Sequence, residues 1–265
     1  MSDLLRRSAV LAVALAAIVI SVSERENRLQ SAIPDTGGST ATELVRNVGG
    51  EDDSLRFTAE ELRELQRRFG VHGPQHGLAQ LLTEGMDRLG PVRSNTLAQL
   101  QQLKPVILRA SHQQQVNPML VTAILFDEIQ HSKPGESLPF IAHSGLVHTL
   151  GPAQLGIAEL IHQKRLPEHP SAMEIRWARN KLLDPSFNVE ILAAKLQRLK
   201  QALGLPTDRL LIASRSTTDA KAISTLAYLH NGKLDYAARI LSYMQDPELH
   251  GLIYSSRRPQ RTSLV

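Results

Sequence analysis

An apolar run closes on two adjacent carboxylates, Asp127 and Glu128, in the stretch VNPMLVTAILFDEIQHS at residues 116–132. On a helix, Glu128 shares a face with Val121, Ile124 and Leu125, while Asp127 points about 100° away. Glu128 therefore extends the stripe that faces the core, and it sits in the last turn, at the negative end of the helix dipole. Apolar surroundings and that dipole both disfavour a charged carboxylate, the condition a general acid requires. The bland alternative is a glutamate swung into solvent at a frayed helix end. Asp127, on the other face, reads as a solvated neighbour with no part in the chemistry.

No other chemistry-bearing residues form a comparable set. His131, His143 and His148 flank a loop beside Glu128, but they lack HExxH or any similar ligand spacing and read as polar loop residues, so no metal is expected. Glu136 falls within that loop, without a fixed relation to Glu128. Ser144, in HSGL, lacks the Gly-x-Ser-x-Gly elbow. The chain contains no cysteine, which excludes disulfides, thiolate catalysis and cysteine metal sites. Trp177, the single tryptophan, reads as a core or groove-wall anchor.

The elements that must position Glu128 are helical. Hydrophobic residues make up 42% of the chain against 21% charged, enough for a packed core, and the low aromatic share among many Leu, Ala, Gln and Arg favours helices. Asn117 and Pro118 predict the start of the helix that ends in Glu128, an N-cap oxygen followed by proline at the first position. Upstream, TAEELRELQRRF has capping-box spacing at Thr58 and Glu61. Two amphipathic segments follow, LAQLLTEGMDRL and TLAQLQQLKPVILRASHQQQ, and Pro105 is expected to kink the second or to start a new helix. Residues 131–150 read as a loop. Helical periodicity returns in AQLGIAELIHQK, NVEILAAKLQRLKQAL, DAKAISTLAYLHNG and DYAARILSYMQ, with Gly232 as a helix-terminating residue.

The ends of the chain carry a different pattern. Arg6 and Arg7 precede an uninterrupted small and apolar run at residues 9–22, short for a bilayer span and matched to the core of an export signal. The expected division is a signal peptide or membrane anchor at 1–23, a linker at 24–53, a helical extension at 54–110, a helical domain at 111–254 and a disordered basic tail at 255–265. The expected location is outside the cytoplasm, in the periplasm or anchored in the inner membrane facing it, with membrane association through residues 9–22. A net charge of +4 suits an anionic partner such as nucleic acid, a lipid surface or a cell-wall polymer. Basic and aromatic residues do not interleave, so no nucleic-acid partner is expected.

Four short motifs, in order, carry a resemblance. NPMLVTAILFDE is similar to the catalytic helix of the lytic transglycosylases of the lysozyme superfamily, which begins after Asn-Pro and ends in the acid. GPAQLGIAEL, residues 151–160, resembles the Gly-x-x-Gln turn that lines the sugar cleft in that family. DPSFNVEILAAKLQRL, residues 184–199, resembles the Asp-Pro-x-x-Asn-Ile helix behind it, and LAYLHNGKL, residues 226–234, resembles the Tyr-Asn-Ala-Gly segment. The likeness covers roughly residues 116–232. The chain departs from it at Ile129, where the family usually has serine, at Pro152 and Ala153, and at Leu229 and His230, where no tyrosine is securely matched.

The resemblance implies a mainly α, lysozyme-like fold acting on peptidoglycan glycan strands without a cofactor. Glu128 would be the catalytic acid, and Gly151, Gln154, His230 and Asn231 would contact substrate. Glycosidic cleavage commonly uses two carboxylates, but one suffices when the sugar's own 6-hydroxyl is the nucleophile, which yields a 1,6-anhydro-muramoyl product. Gln154 would then hydrogen-bond an N-acetyl or ring substituent; an amide that caps its own turn is the equal alternative. The rival readings are a hydrolytic muramidase, like goose-type lysozymes, an inactive wall-binding or secretion-scaffold protein of the same fold, and a helical adaptor with no link to sugars. Protein partners are left open.

Overall fold

The computed structural model describes residues 56–70, 90–132 and 148–255, which all belong to one unit made of residues 52–132 and 137–265. The expected signal or anchor, the linker, residues 71–89 of the expected extension and the tail from 256 onward lie outside the described residues, as do Glu136, His143 and Ser144. Among the described residues the chain forms nine helices and one two-stranded hairpin. In order they are α1 (Ala59–Phe69), α2 (Gly90–Gln113), α3 (Pro118–Gln130), β1 (Thr149–Leu150), β2 (Leu155–Gly156) and α4 (Ile157–His162). There follow α5 (Ala172–Leu183), α6 (Pro185–Ala202), α7 (Thr217–Asn231), α8 (Leu234–Tyr243) and α9 (Pro247–Tyr254).

The protein is therefore mainly α, and α3 is its centre. Asn117 caps α3 by accepting the Met119 N–H at 2.8 Å, while its amide donates to the Leu211 carbonyl at 2.9 Å. Every side chain from Met119 to Asp127 is buried, because α2, α6, α7, α8 and α9 all pack against this one helix. A helix buried all round needs no apolar stripe, so the sidedness inferred for Glu128 is weaker than the burial itself. Each fully enclosed Leu, Ile or Phe contributes about 1.5–3 kcal/mol, so α3 alone carries a large share of the core.

Helix α2 runs unbroken through Pro105, and no new helix starts there. The missing N–H removes one backbone bond, but Leu103, Val106, Ile107 and Ala110 on either side are buried against α3 and α6, and packing outweighs that loss. The boundary expected at residue 110 thus falls inside α2, whose buried face belongs to the same core as α3. Helix α1 closes its capping box as Thr58 and Glu61 predict. It is tied to α7 by Glu61 and Lys221 at 3.1 Å, and Phe57 just before it packs on Tyr228.

The segment AQLGIAELIHQK is not helical from its start. Residues 151–154 make a tight turn between β1 and β2, paired antiparallel as Thr149 with Gly156 and Leu150 with Leu155, and helix begins only at Ile157. Gly151 holds φ 73°, and a Cβ there would overlap the Leu182 carbonyl and the Asn188 side chain. Gly232 in the left-handed conformation (φ 85°) stops α7 and lets α8 begin after Lys233. Among the described residues no helix is long and apolar enough to cross a membrane.

Candidate active site

Glu128 lies in the last turn of α3 with its side chain 12% exposed. The tight α7–α8 connection brings two hydrogen-bond donors and an imidazole to one of its oxygens. Tyr236, in the first turn of α8, donates its hydroxyl to Oε1 at 2.9 Å, and Asn231, the last residue of α7, donates its amide to the same oxygen at 3.4 Å. His230 places Nε2 3.4 Å from that oxygen. The tyrosine bond has a strong length and the asparagine bond sits near the limit for any hydrogen bond, so Tyr236 dominates the grip. None of these contacts uses Oε2.

Burial, and then the negative charge of Glu128, push the Tyr236 phenol well above its usual range, so it remains a donor. His230 has a side chain only 2% exposed, packed behind the carboxyl. Burial, reinforced by the Lys195 ammonium, pulls its imidazole below the usual range. With Nε2 facing Glu128, its buried Nδ1 has no partner among the described residues, and neither does the buried Oδ1 of Asn231. Lys195, on α6, donates to the His230 carbonyl at 3.0 Å. Desolvation lowers its ammonium below the ordinary lysine range, although Glu159 and Glu128 act in the opposite direction.

Asp127 is not the solvated neighbour expected. It is 2% exposed, and its oxygens accept from Arg239 Nε at 2.5 Å and Nη2 at 3.2 Å. His131, which caps the end of α3, stands 3.4 Å away through Nδ1. Burial pushes the Asp127 carboxyl up, but His131 and Arg239 outweigh it and hold it below the usual carboxylate range. The helical-wheel reading failed here because α3 has neighbours on every side, and a carboxylate on its second face meets a guanidinium instead of water.

The hairpin is built around Asn188, which is wholly buried in the first turn of α6. Its Oδ1 accepts the Ala153 N–H at 2.8 Å, and its amide donates to the Leu150 and Leu182 carbonyls, both at 2.9 Å. Asp184 caps the same helix by accepting the Phe187 N–H at 2.9 Å. The Asp-Pro-x-x-Asn pattern thus starts a helix and fastens the turn before it. Gly151 is fixed by that close approach. Gln154, at φ 46°, is engaged in its own turn: Oε1 accepts from the Thr149 hydroxyl at 2.6 Å and Nε2 donates to the Gly151 carbonyl at 3.3 Å. Neither amide bond reaches Glu128.

The structure therefore gathers Glu128, His230 and Asn231 and keeps Gly151 and Gln154 as a separate turn cluster around Asn188. Trp177 is 44% exposed on α5, which rules out the core position, and Ile129 sits in the core cluster. His148 is exposed, and among the described residues no group of three or more His, Cys, Asp or Glu is placed to hold a metal ion. Sequence reasoning missed Tyr236, Arg239 and Lys195. The available signal was Gly232, which ends α7 two residues before α8 and so keeps the first turn of α8 close to the end of α7. Comparison with protein-family models, curated proteins and solved structures finds no match to this chain.

Proposed function

We propose that the chain is a peptidoglycan lytic transglycosylase with a lysozyme-like helical fold, exported through residues 9–22 and cleaving the MurNAc-GlcNAc β-1,4 bond with Glu128 as its single acid/base. The observation that carries this reading is one carboxyl at the end of a buried helix, with one oxygen hydrogen-bonded by Tyr236 and Asn231 beside the His230 ring and the other untouched by them. In the first step Glu128 gives its proton to the glycosidic oxygen, the bond to C1 breaks and an oxocarbenium-like centre forms. In the second step the 6-hydroxyl of the same MurNAc attacks C1 and returns its proton to the Glu128 carboxylate, closing the 1,6-anhydro ring. Between the steps the Tyr236 hydroxyl supports the charged carboxylate by a charge-assisted bond.

A hydrolytic muramidase needs a second carboxylate beside the acid. Asp127, adjacent in sequence, is occupied by Arg239, which favours the one-carboxyl route. Gln154 and Gly151 remain candidates for the sugar-facing turn. The test is incubation of purified protein with cell-wall sacculi and mass spectrometry of the soluble products. Anhydro-muropeptides are expected from the wild type and none from Glu128→Gln; equal release by that variant overturns the assignment. Reducing-end products indicate the muramidase, and wall binding without turnover indicates the inactive scaffold.

A further inference from the structure

We propose that Asp127 and Arg239 form the clamp that sets the Tyr236 hydroxyl on Glu128, so that the carboxylate next to the acid acts as its positioning partner. Two neighbours on α3 are matched by two residues one turn apart on α8. Arg239 grips Asp127 through two nitrogens, and Tyr236 reaches Glu128 Oε1 at 2.9 Å. The guanidinium also lies 5.4 Å from the centre of the Tyr236 ring, so one side chain holds the aspartate and bears on the tyrosine. Asp235, at 3.3 Å from Arg239 Nη1, fixes the outer edge of the fork.

A buried ion pair gives little net stability over well-packed apolar side chains, whereas its geometry is highly directional. At this place the direction has a use. Rotation of α8 about its axis, or a slide along α3, would break the two-point grip on Asp127 and carry the Tyr236 hydroxyl off Oε1. Its catalytic meaning rests on the transglycosylase reading; the clamp itself does not.

The test uses the full chain with tyrosines carbon-13 labelled at Cζ, observed by NMR at neutral pH. The Tyr236 resonance is identified by its loss in Tyr236→Phe, and Glu128→Gln is expected to move it, because an amide oxygen replaces a carboxylate as acceptor. In the double variant Asp127→Leu with Arg239→Met, both members of the buried pair leave together, and the partly exposed Asp235 loses only its 3.3 Å contact with Arg239. The clamp predicts that the Tyr236 resonance leaves its wild-type position in this variant while cooperative unfolding is retained. Arg239→Lys, which keeps the charge and loses the fork, is the second variant if the first does not fold, and the same displacement is expected. A Tyr236 resonance at its wild-type position in a folded clamp variant, or unmoved in Glu128→Gln, overturns the proposal. Absence of glycan cleavage by the wild type would strike the proposed function and leave this measurement standing. If cleavage is present, the clamp variants should lose kcat with KM little changed.

Discussion

A neutral donor hydrogen-bonded to a carboxylate is worth about 1.5–3 kcal/mol, and Tyr236 is the short donor on Glu128. Replacing it with phenylalanine removes only the hydroxyl and leaves the ring packed, so kcat should fall roughly 10–100-fold with little change in KM. Steady-state assays on soluble glycan fragments check this. Asn231 donates at 3.4 Å, and Asn231→Ala should cost less than the tyrosine change in the same assay. The place of Glu128 at the end of an apolar helix was legible in the sequence, because that is a local pattern. Its partners were not, because Tyr236 and Arg239 follow Asp127 and Glu128 by more than 100 residues and meet them only through packing.

Among the elements, the β1–β2 hairpin depends on one side chain. Asn188→Ala would leave the Ala153 N–H and the Leu150 and Leu182 carbonyls without their partner in a dry site, a loss of roughly 2–5 kcal/mol readable by urea unfolding. Gly151→Ala should destabilise as well, since positive φ and the approach of Leu182 and Asn188 both forbid a Cβ. Helix existence was legible from caps and periodicity: Thr58 with Glu61, Asn117 with Pro118 and Gly232 all act as those residue types dictate. The hairpin was not, because strands of two residues show no alternation and their pairing is imposed from α6 by Asn188. Of the two outcomes expected at Pro105, the start of a new helix does not occur, since the packing that carries α2 through it lies on other helices.

For the whole molecule, the ionisable groups fix the acid limit. The Arg209 guanidinium, in a two-point bond, holds the Asp219 carboxyl down to about 2. A lowered carboxylate contributes stability above its ordinary range and loses it as pH falls towards the folded value, so a drop is expected between about pH 4 and pH 2. Asp127 adds to it in the same direction. His230, kept neutral by burial, works by the same sign at higher pH, and its share should decline as pH falls below about 6.5. Thermal unfolding across pH should therefore show two stages of loss, the upper one removed by His230→Gln and the lower one reduced by Asp219→Asn.

The enclosure of α3 has a consequence in time. Amides of a helix surrounded by five others exchange with solvent only when the entire structure opens, whereas those of exposed segments exchange through local fluctuation. Glu128 thus hangs from the slowest-opening part of the chain. Deuterium protection in α3 should match the global unfolding free energy measured by denaturant.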